Sequence, residues 1–203
     1  MRARRLHQLD VADEELRRVA HMTRQSLGLY REATSPSIFG VDTLLDSVLV
    51  LLRNRIMAKS VVVERRSYDR RELTGVFGEL RQVLVNLLAN SLDALDTGGT
   101  IKLRTSIVNA AGGGQRFIRI TVADSGKGIA ASQLSHVFEP FFTTKGELGT
   151  GLGLWVSKQL VEKHLGNIRV RSTTRRGHSG TVFSITLPDG DPTPPLAPFL
   201  RAS

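Results

Sequence analysis

The sequence predicts an α/β two-layer sandwich preceded by a long N-terminal helix, and three observations predict it. Strand-like and helix-like segments mix without a regular β-α-β alternation, which argues against a doubly wound nucleotide fold. Residues 79–95 carry the strongest helical periodicity in the chain. Two pairs of alternating segments, 100–108 with 116–123 and 167–173 with 180–187, read as hairpins separated by turn-forming residues.

The 203 residues allow one ordinary domain plus an extra element. Apolar residues make up 40% and charged residues 23%, as in soluble globular proteins. Aromatics are only 5%, so the core must be built from Leu, Val and Ile. There is no cysteine, which excludes disulfides, thiolate metal sites and cysteine nucleophiles and suits a cytoplasmic location. The longest apolar run, residues 48–52, is far too short to cross a membrane, and the basic start is followed by acidic residues 10–15 rather than a signal-peptide core. Net charge is +9, but the arginines fall in separate groups with no interleaved aromatics on which bases could stack. Solvated faces or an acidic protein partner therefore explain the charge better than nucleic acid does.

Residues 9–30 read as one helix, with Leu9, Ala12, Leu16, Val19, Thr23, Ser26 and Tyr30 stepping by three and four. This seam fits either an amphipathic helix on its own domain or half of a dimerising hairpin. Pro36 marks a break, and residues 1–34 are set apart as a separate N-terminal segment. Residues 37–41 can form a short strand. Asp42 is a candidate cap for a helix that carries Leu44, Leu45, Val48, Leu51, Leu52 and Ile56 on one face. Residues 61–63 and 73–77 read as strands around a polar turn. After the long helix 79–95 and the strands already named, Gly-rich residues 110–114 form a hairpin loop, and residues 151–164 are helical. The main domain is expected to span 35–188. From Pro188 onward the chain, with its tail at 189–203, is Pro-rich and expected to be disordered.

Three segments carry chemistry. The helix 79–95 presents Leu80, Val83, Leu84, Leu87, Leu88 and Leu95 on one side and Gln82, Asn86, Asn90 and Asp93 on another. Uncharged amides on such a helix need partners, either a structural hydrogen-bond network or a ligand. An Asn oxygen is a hard donor suited to Mg²⁺, which takes few protein ligands alongside phosphate oxygens. Next, Asp124-Ser125-Gly126-Lys127-Gly128-Ile129 follows an apolar strand; it is either an ordinary β-turn or a carboxylate placed to accept from an adenine amino group, with glycines permitting close approach. Third, Gly149-Thr150-Gly151-Leu152-Gly153-Leu154 opens a helix whose free N–H groups attract phosphate. Between the last two lies Phe138-Glu139-Pro140-Phe141-Phe142-Thr143-Thr144-Lys145-Gly146, read as a hinged loop with apolar anchors and a lysine for phosphate.

In their order along the chain these segments resemble the motifs of bacterial histidine protein kinases. Residues 82–94 resemble the asparagine box, 124–128 the first glycine box, 138–145 the phenylalanine box, 149–153 the second glycine box, and Gly180-Thr181-Val182-Phe183 the closing strand motif. The resemblance covers about residues 38–188 and implies a Bergerat-type ATP fold: a mixed sheet, helices on one face and a mobile lid. It implies ATP and Mg²⁺ as cofactors. Asn90 would ligate Mg²⁺ and Asn86 would support the phosphates; Asp124 would read adenine with help from Thr181; Lys145 and the backbones of Gly151 and Gly153 would hold phosphate. Asp93, Gly126, Gly128, Ile129, Phe138, Thr144, Gly149, Thr150, Leu152 and Leu154 complete the implied ATP site, with Asn86, Asn90 and Lys145 as its catalytic members.

The resemblance makes residues 9–32 the second helix of a dimerisation hairpin, so a homodimer through residues 9–30 and a response regulator receiver domain are the expected partners. The phosphoacceptor histidine belongs on a first helix outside this chain. None of His7, His21, His136, His164 and His178 has the acidic residue and proline that the family places after its acceptor. A rival is an ATPase of the same fold, such as the gyrase type, which has a water-activating Glu where this chain has Asn86. An amide cannot act as that base, so slow hydrolysis and transfer to a positioned histidine are expected. A docking scaffold without catalysis is the third reading, disfavoured by the intact nucleotide motifs.

Overall fold

The computed structural model describes residues 35–66, 71–109, 115–145 and 149–190. The helix read at 9–30, the loop at 110–114 and tail residues 191–203 lie outside these. The elements run β1 (Ser37–Gly40), α1 (Val41–Ala58), β2 (Val62–Arg66), β3 (Glu72–Gly75), α2 (Phe77–Ala94), β4 (Thr100–Asn109), β5 (Arg116–Asp124), α3 (Ala131–Leu134), α4 (Gly153–Lys163), β6 (Asn167–Thr173) and β7 (Gly180–Pro188). A five-stranded sheet in the order β2-β4-β5-β7-β6 is mixed: β2 runs parallel to β4 and every other pair is antiparallel. β1 and β3 form a separate two-stranded ribbon.

Strand alternation explains the single packed face. Ile101 and Leu103 of β4, Ile118, Ile120 and Val122 of β5, and Phe183, Ile185 and Leu187 of β7 are all buried against the helices. From the helical side, α2 sends Leu80, Val83, Leu84, Leu87, Leu88 and Leu92 into the same core, and α1 adds Leu44, Leu45, Val48 and Leu52. Each such leucine withdrawn from water contributes about 2 kcal/mol, so the central α2 anchors the layer. α1 and α4 flank it.

Several expectations need correction. Asp42 does not cap α1: Gly40 is the cap residue, no side chain caps it, and Asp42 sits in the first turn paired with Arg65 of β2. There its charge still complements the helix dipole. Leu51 is 55% exposed, because 51 falls off the arc that buries 44, 48 and 52. β2 and β3 do not share a sheet. β3 belongs to the ribbon instead, where Leu73 faces Phe39 and is buried. α4 begins at Gly153 rather than 151, since Gly151 has φ +66° and cannot be part of a right-handed helix. The short α3 was not foreseen. The ordered domain also runs past its expected end: Pro188 belongs to β7, the Asp189 N–H donates to the Arg116 carbonyl at 2.9 Å, and Gly190 bridges to Leu73.

His164, one of the five histidines considered as a phosphoacceptor, holds two elements together. Its Nε2 accepts from the Val76 N–H at 3.0 Å, and Nδ1 lies 2.8 Å from the Leu160 carbonyl. An acceptor role for Nε2 puts the proton on Nδ1, so the neutral ring ties the end of α4 to the start of α2.

Candidate functional site

A cleft of about 680 Å³ opens among α2, the 124–130 turn, α3, residues 142–145 and 149–154, and the edge formed by Thr181 and Phe183. That size suits a nucleotide-sized ligand. Its lining includes Asn90, Asp93, Asp124, Gly128, Ile129, Thr144, Lys145, Gly149, Thr150, Gly151, Gly153, Leu154 and Thr181 from the expected site. Gly126, Phe138, Leu152 and Asn86 stand behind the wall rather than on it.

At one end Asp124 terminates β5 and is buried together with Ser91 and Thr181. Its Oδ1 accepts from the Gly126 N–H at 2.9 Å and the Thr181 N–H at 3.2 Å, and Oδ2 accepts from the Ser91 hydroxyl at 3.0 Å. Burial pushes this carboxyl above its usual range, and the three hydrogen bonds oppose the rise without cancelling it. The result is a fixed acceptor whose Oδ2 has only one protein partner and keeps acceptor capacity toward the cleft. The turn beyond must pass close to β6: a Cβ on Gly128, which has φ +76°, would lie 2.1 Å from the Thr173 carbonyl oxygen. Ser172 supports the turn, donating to the Gly180 carbonyl and accepting from the Ile129 N–H at 2.8 Å.

The other end is charged and open. The Lys145 ammonium donates to Asn90 Oδ1 at 2.9 Å and to Asp93 Oδ2 at 2.7 Å, while Arg55 holds Asp93 Oδ1 at 2.6 Å. Burial would raise the Asp93 carboxyl, but Lys145, Arg55 and Lys59 outweigh it and hold it below the usual range. Asn90 and Asp93 thus already converge on a cation. Behind them Asn86 donates to the Gly153 carbonyl at 3.1 Å and lies 3.3 Å from the Ser157 hydroxyl, fastening the start of α4 to α2. Gly151 lets the loop cross over Phe141, whose carbonyl carbon would lie 2.3 Å from a Cβ there.

The implied site left out Ser91, Gln133 and Val137, and also Phe142 and Phe183, which the sequence analysis named only within the hinged loop and the closing strand motif. Ser91 carried a usable signal: it follows Leu87 and Leu88 on the buried arc of α2, where a hydroxyl must find a partner. Gln133 had none, because the short α3 has too few residues to show a period, and Val137 lies in the irregular turn that follows it.

A mixed sheet under three long helices, with a carboxylate at a strand end and a glycine-flanked loop over a cleft, defines an ATP-binding domain of the Bergerat type. The chain belongs to the histidine kinase-, DNA gyrase B-, and HSP90-like ATPase family, whose model matches residues 75–191. The sensor histidine kinase ZraS of Salmonella typhimurium strain LT2 is 47% identical over 109 residues, covering 54% of this chain and 22% of that protein. Sporulation kinase A of Bacillus subtilis strain 168 is 31% identical over 186 residues, covering 90% of this chain and 29% of that protein. The chain therefore spans less than a third of the length of these curated relatives. Among solved structures, the nucleotide-free catalytic domain of histidine kinase ThkA superposes with a TM-score of 0.66 at 26% identity, covering 77% of this chain and 99% of that one. Full-length ShkA in complex with AMPPNP gives 0.67 at 27% identity, covering 88% and 36%. The matched stretch contains the segments 82–94, 124–128, 138–145, 149–153 and 180–183 on which the resemblance was read.

Proposed function

We propose that this chain is the ATP-binding catalytic part of a histidine protein kinase that moves the γ-phosphate of ATP to a histidine outside the chain. The observation that carries this reading is the absence, among the described residues, of a carboxylate free to activate water. Two carboxylates line the cleft: Asp93 is engaged by Arg55 and Lys145, and Asp124 by Ser91 and two backbone N–H groups. Asn86 stands one turn before Asn90, and its amide is tied to Gly153. Phosphoryl transfer needs positioning and charge neutralisation more than a strong base, and among the described residues direct hydrolysis finds no free base.

In this reading adenine donates its amino group to Asp124 and the triphosphate runs toward Asn90, Lys145 and the N–H groups of Gly151 and Gly153 at the start of α4. The oxygens of Asn90 and Asp93 fit Mg²⁺, since they already converge on the Lys145 ammonium and Mg²⁺ completes its shell with phosphate oxygens and water. Asn90 would be the direct ligand. The ion would supply neutralisation of phosphate charge; Lys145 would then move from Asn90 to phosphate. Asn86 acts by holding Gly153 in place. A homodimer through residues 9–30, a receiver domain of a response regulator as the next phosphate carrier, and a cytoplasmic site of action complete the proposal. Among the described residues no helix is long and apolar enough to cross a membrane.

Radiolabelled ATP tests the reading. The chain alone is expected to bind ATP, hydrolyse it slowly and label itself weakly. Supplied with the first hairpin helix of a cognate kinase in trans, it should place acid-labile, alkali-stable phosphate on that helix's histidine. Rapid turnover without acceptor would move the assignment to an ATPase, and strong labelling abolished by His21→Ala or His7→Ala would put the acceptor within the chain.

A further inference from the structure

Among the described residues the helices cover one face of the five-stranded sheet and leave the other exposed. On that open face alternation places Arg66 of β2, Lys102 and Arg104 of β4, Arg119 of β5, and Arg169 and Arg171 of β6, all exposed. Glu64, 3.4 Å from Lys102, is the only carboxylate among the described strand residues of this face. The other strand carboxylate-bearing contacts lie on the helical side, where Asp42 and Asp46 take Arg65 and where Asp93 and Asp124 line the cleft. An antiparallel sheet commonly leaves one face solvated, but a neutral solvated face would mix both signs of charge.

The register gives this charge a shape. One row across the sheet reads Arg104, Thr121, Ser184, Arg169, and the next reads Lys102, Ala123, Val182, Arg171. Over these two rows long basic side chains on β4 and β6 therefore flank a floor of short ones on β5 and β7, and Arg119 of β5 adds a further cation at one end of the floor. The flanking strands are three spacings apart, about 14 Å, which admits a helix of about 10–12 Å diameter. Within these two rows no aromatic residue stands to stack a base, Phe117 of β5 lying two rows further along, and Val182, 36% exposed, gives a small apolar contact. Three of the four flanking cations are arginines, whose planar forks engage carboxylates in pairs.

We propose that this trough is a docking surface for an acidic helix of a partner protein. It lies on the opposite face of the sheet from the nucleotide cleft, so partner and ATP bind together. A helix with glutamates at three- and four-residue spacing lays carboxylates along both basic walls while its small residues meet Thr121, Ala123 and Ser184. This does not depend on the chain being a kinase.

The test uses the full chain and a fluorescent helical peptide with glutamates at that spacing, titrated at low salt by anisotropy. Its controls are the same peptide with lysines, a short DNA duplex, and phosphatidylcholine vesicles carrying about one third phosphatidylglycerol. The acidic peptide should bind, the lysine peptide should not, and amide shifts should centre on Thr121 and Ser184. The pair Arg169→Glu and Arg171→Glu should weaken binding about tenfold, and the neutral pair Arg169→Gln and Arg171→Gln by less, as loss of rim charge does. Both pairs should keep their affinity for an ATP analogue, which reports that they fold. No binding of the acidic peptide, shifts centred elsewhere, or tighter binding of DNA or vesicles with the same arginine dependence would overturn the proposal.

Discussion

The two ends of the cleft hold polar groups in opposite ways. Asp124 is buried at a strand end, with backbone and hydroxyl donors fixing both oxygens. Lys145 is exposed on a loop and reaches Asn90 and Asp93 through a long side chain. The first arrangement is paid for in desolvation during folding and is ready before any ligand arrives. The second costs little to form and is easily rearranged, because exposed ion pairs are weak and screened. Base recognition can thus be rigid while the phosphate end follows chemistry that changes charge.

Substitution at the rigid end should have the largest effect. Asp124→Ala should weaken ATP and ADP alike by roughly tenfold to a hundredfold in calorimetry, the worth of a buried charge-assisted hydrogen bond. Asp124→Asn sharpens the point. Burial raises this carboxyl's folded pKa, so the stability it contributes is full below its unfolded pKa and is lost as pH rises through the folded one. At neutral pH the asparagine variant should therefore melt no lower than the parent, since its amide oxygen can still accept from Gly126 and Thr181. It should nonetheless lose nucleotide, because an NH₂ group would face the adenine amino group. A variant that melts much lower would break the comparison.

At the open end effects should be smaller and more selective. Asn90→Ala should weaken Mg-ATP binding about tenfold and metal-free ADP binding hardly at all, if its oxygen serves the metal. Lys145→Ala should cost about threefold to tenfold for ATP at low salt, and less as salt is raised. The smallest effect is acidic. Asp93 has a depressed pKa, so its stabilising pairing with Lys145 and Arg55 is present above the unfolded carboxylate pKa and is lost as pH falls through the folded one. Titration followed at the Lys145 ammonium by NMR should show release only in that acidic window.

The rigid end was also the more legible in the sequence. A strand that ends in Asp-Ser-Gly-Lys-Gly has few ways to turn, and α2 was readable because its leucines repeat over five turns. What was not legible depended on partners distant in sequence. The resemblance has Asn86 support the phosphates, but its own partner Gly153 is a residue that only tertiary packing brings near. Asp42 stands where a cap is expected but finds Arg65 instead. β3 has a strand's composition, and nothing local says that it pairs with β1 rather than β2.

The parallel pairing of β2 with β4 has a consequence for how the chain folds. Antiparallel neighbours β4, β5, β7 and β6 close mostly through hairpins, whereas joining Val62 to Thr100 requires the whole crossover through β3 and α2 to be in place. The β4 edge should stay unpaired longest, and pulse-labelled amides of β4 and β5 should gain protection before those of β2. An unpaired edge of alternating Ile101 and Leu103 would invite intermolecular strand addition during that interval. Lys102 and Arg104 interrupt the run, and charged residues at an exposed edge oppose such aggregation.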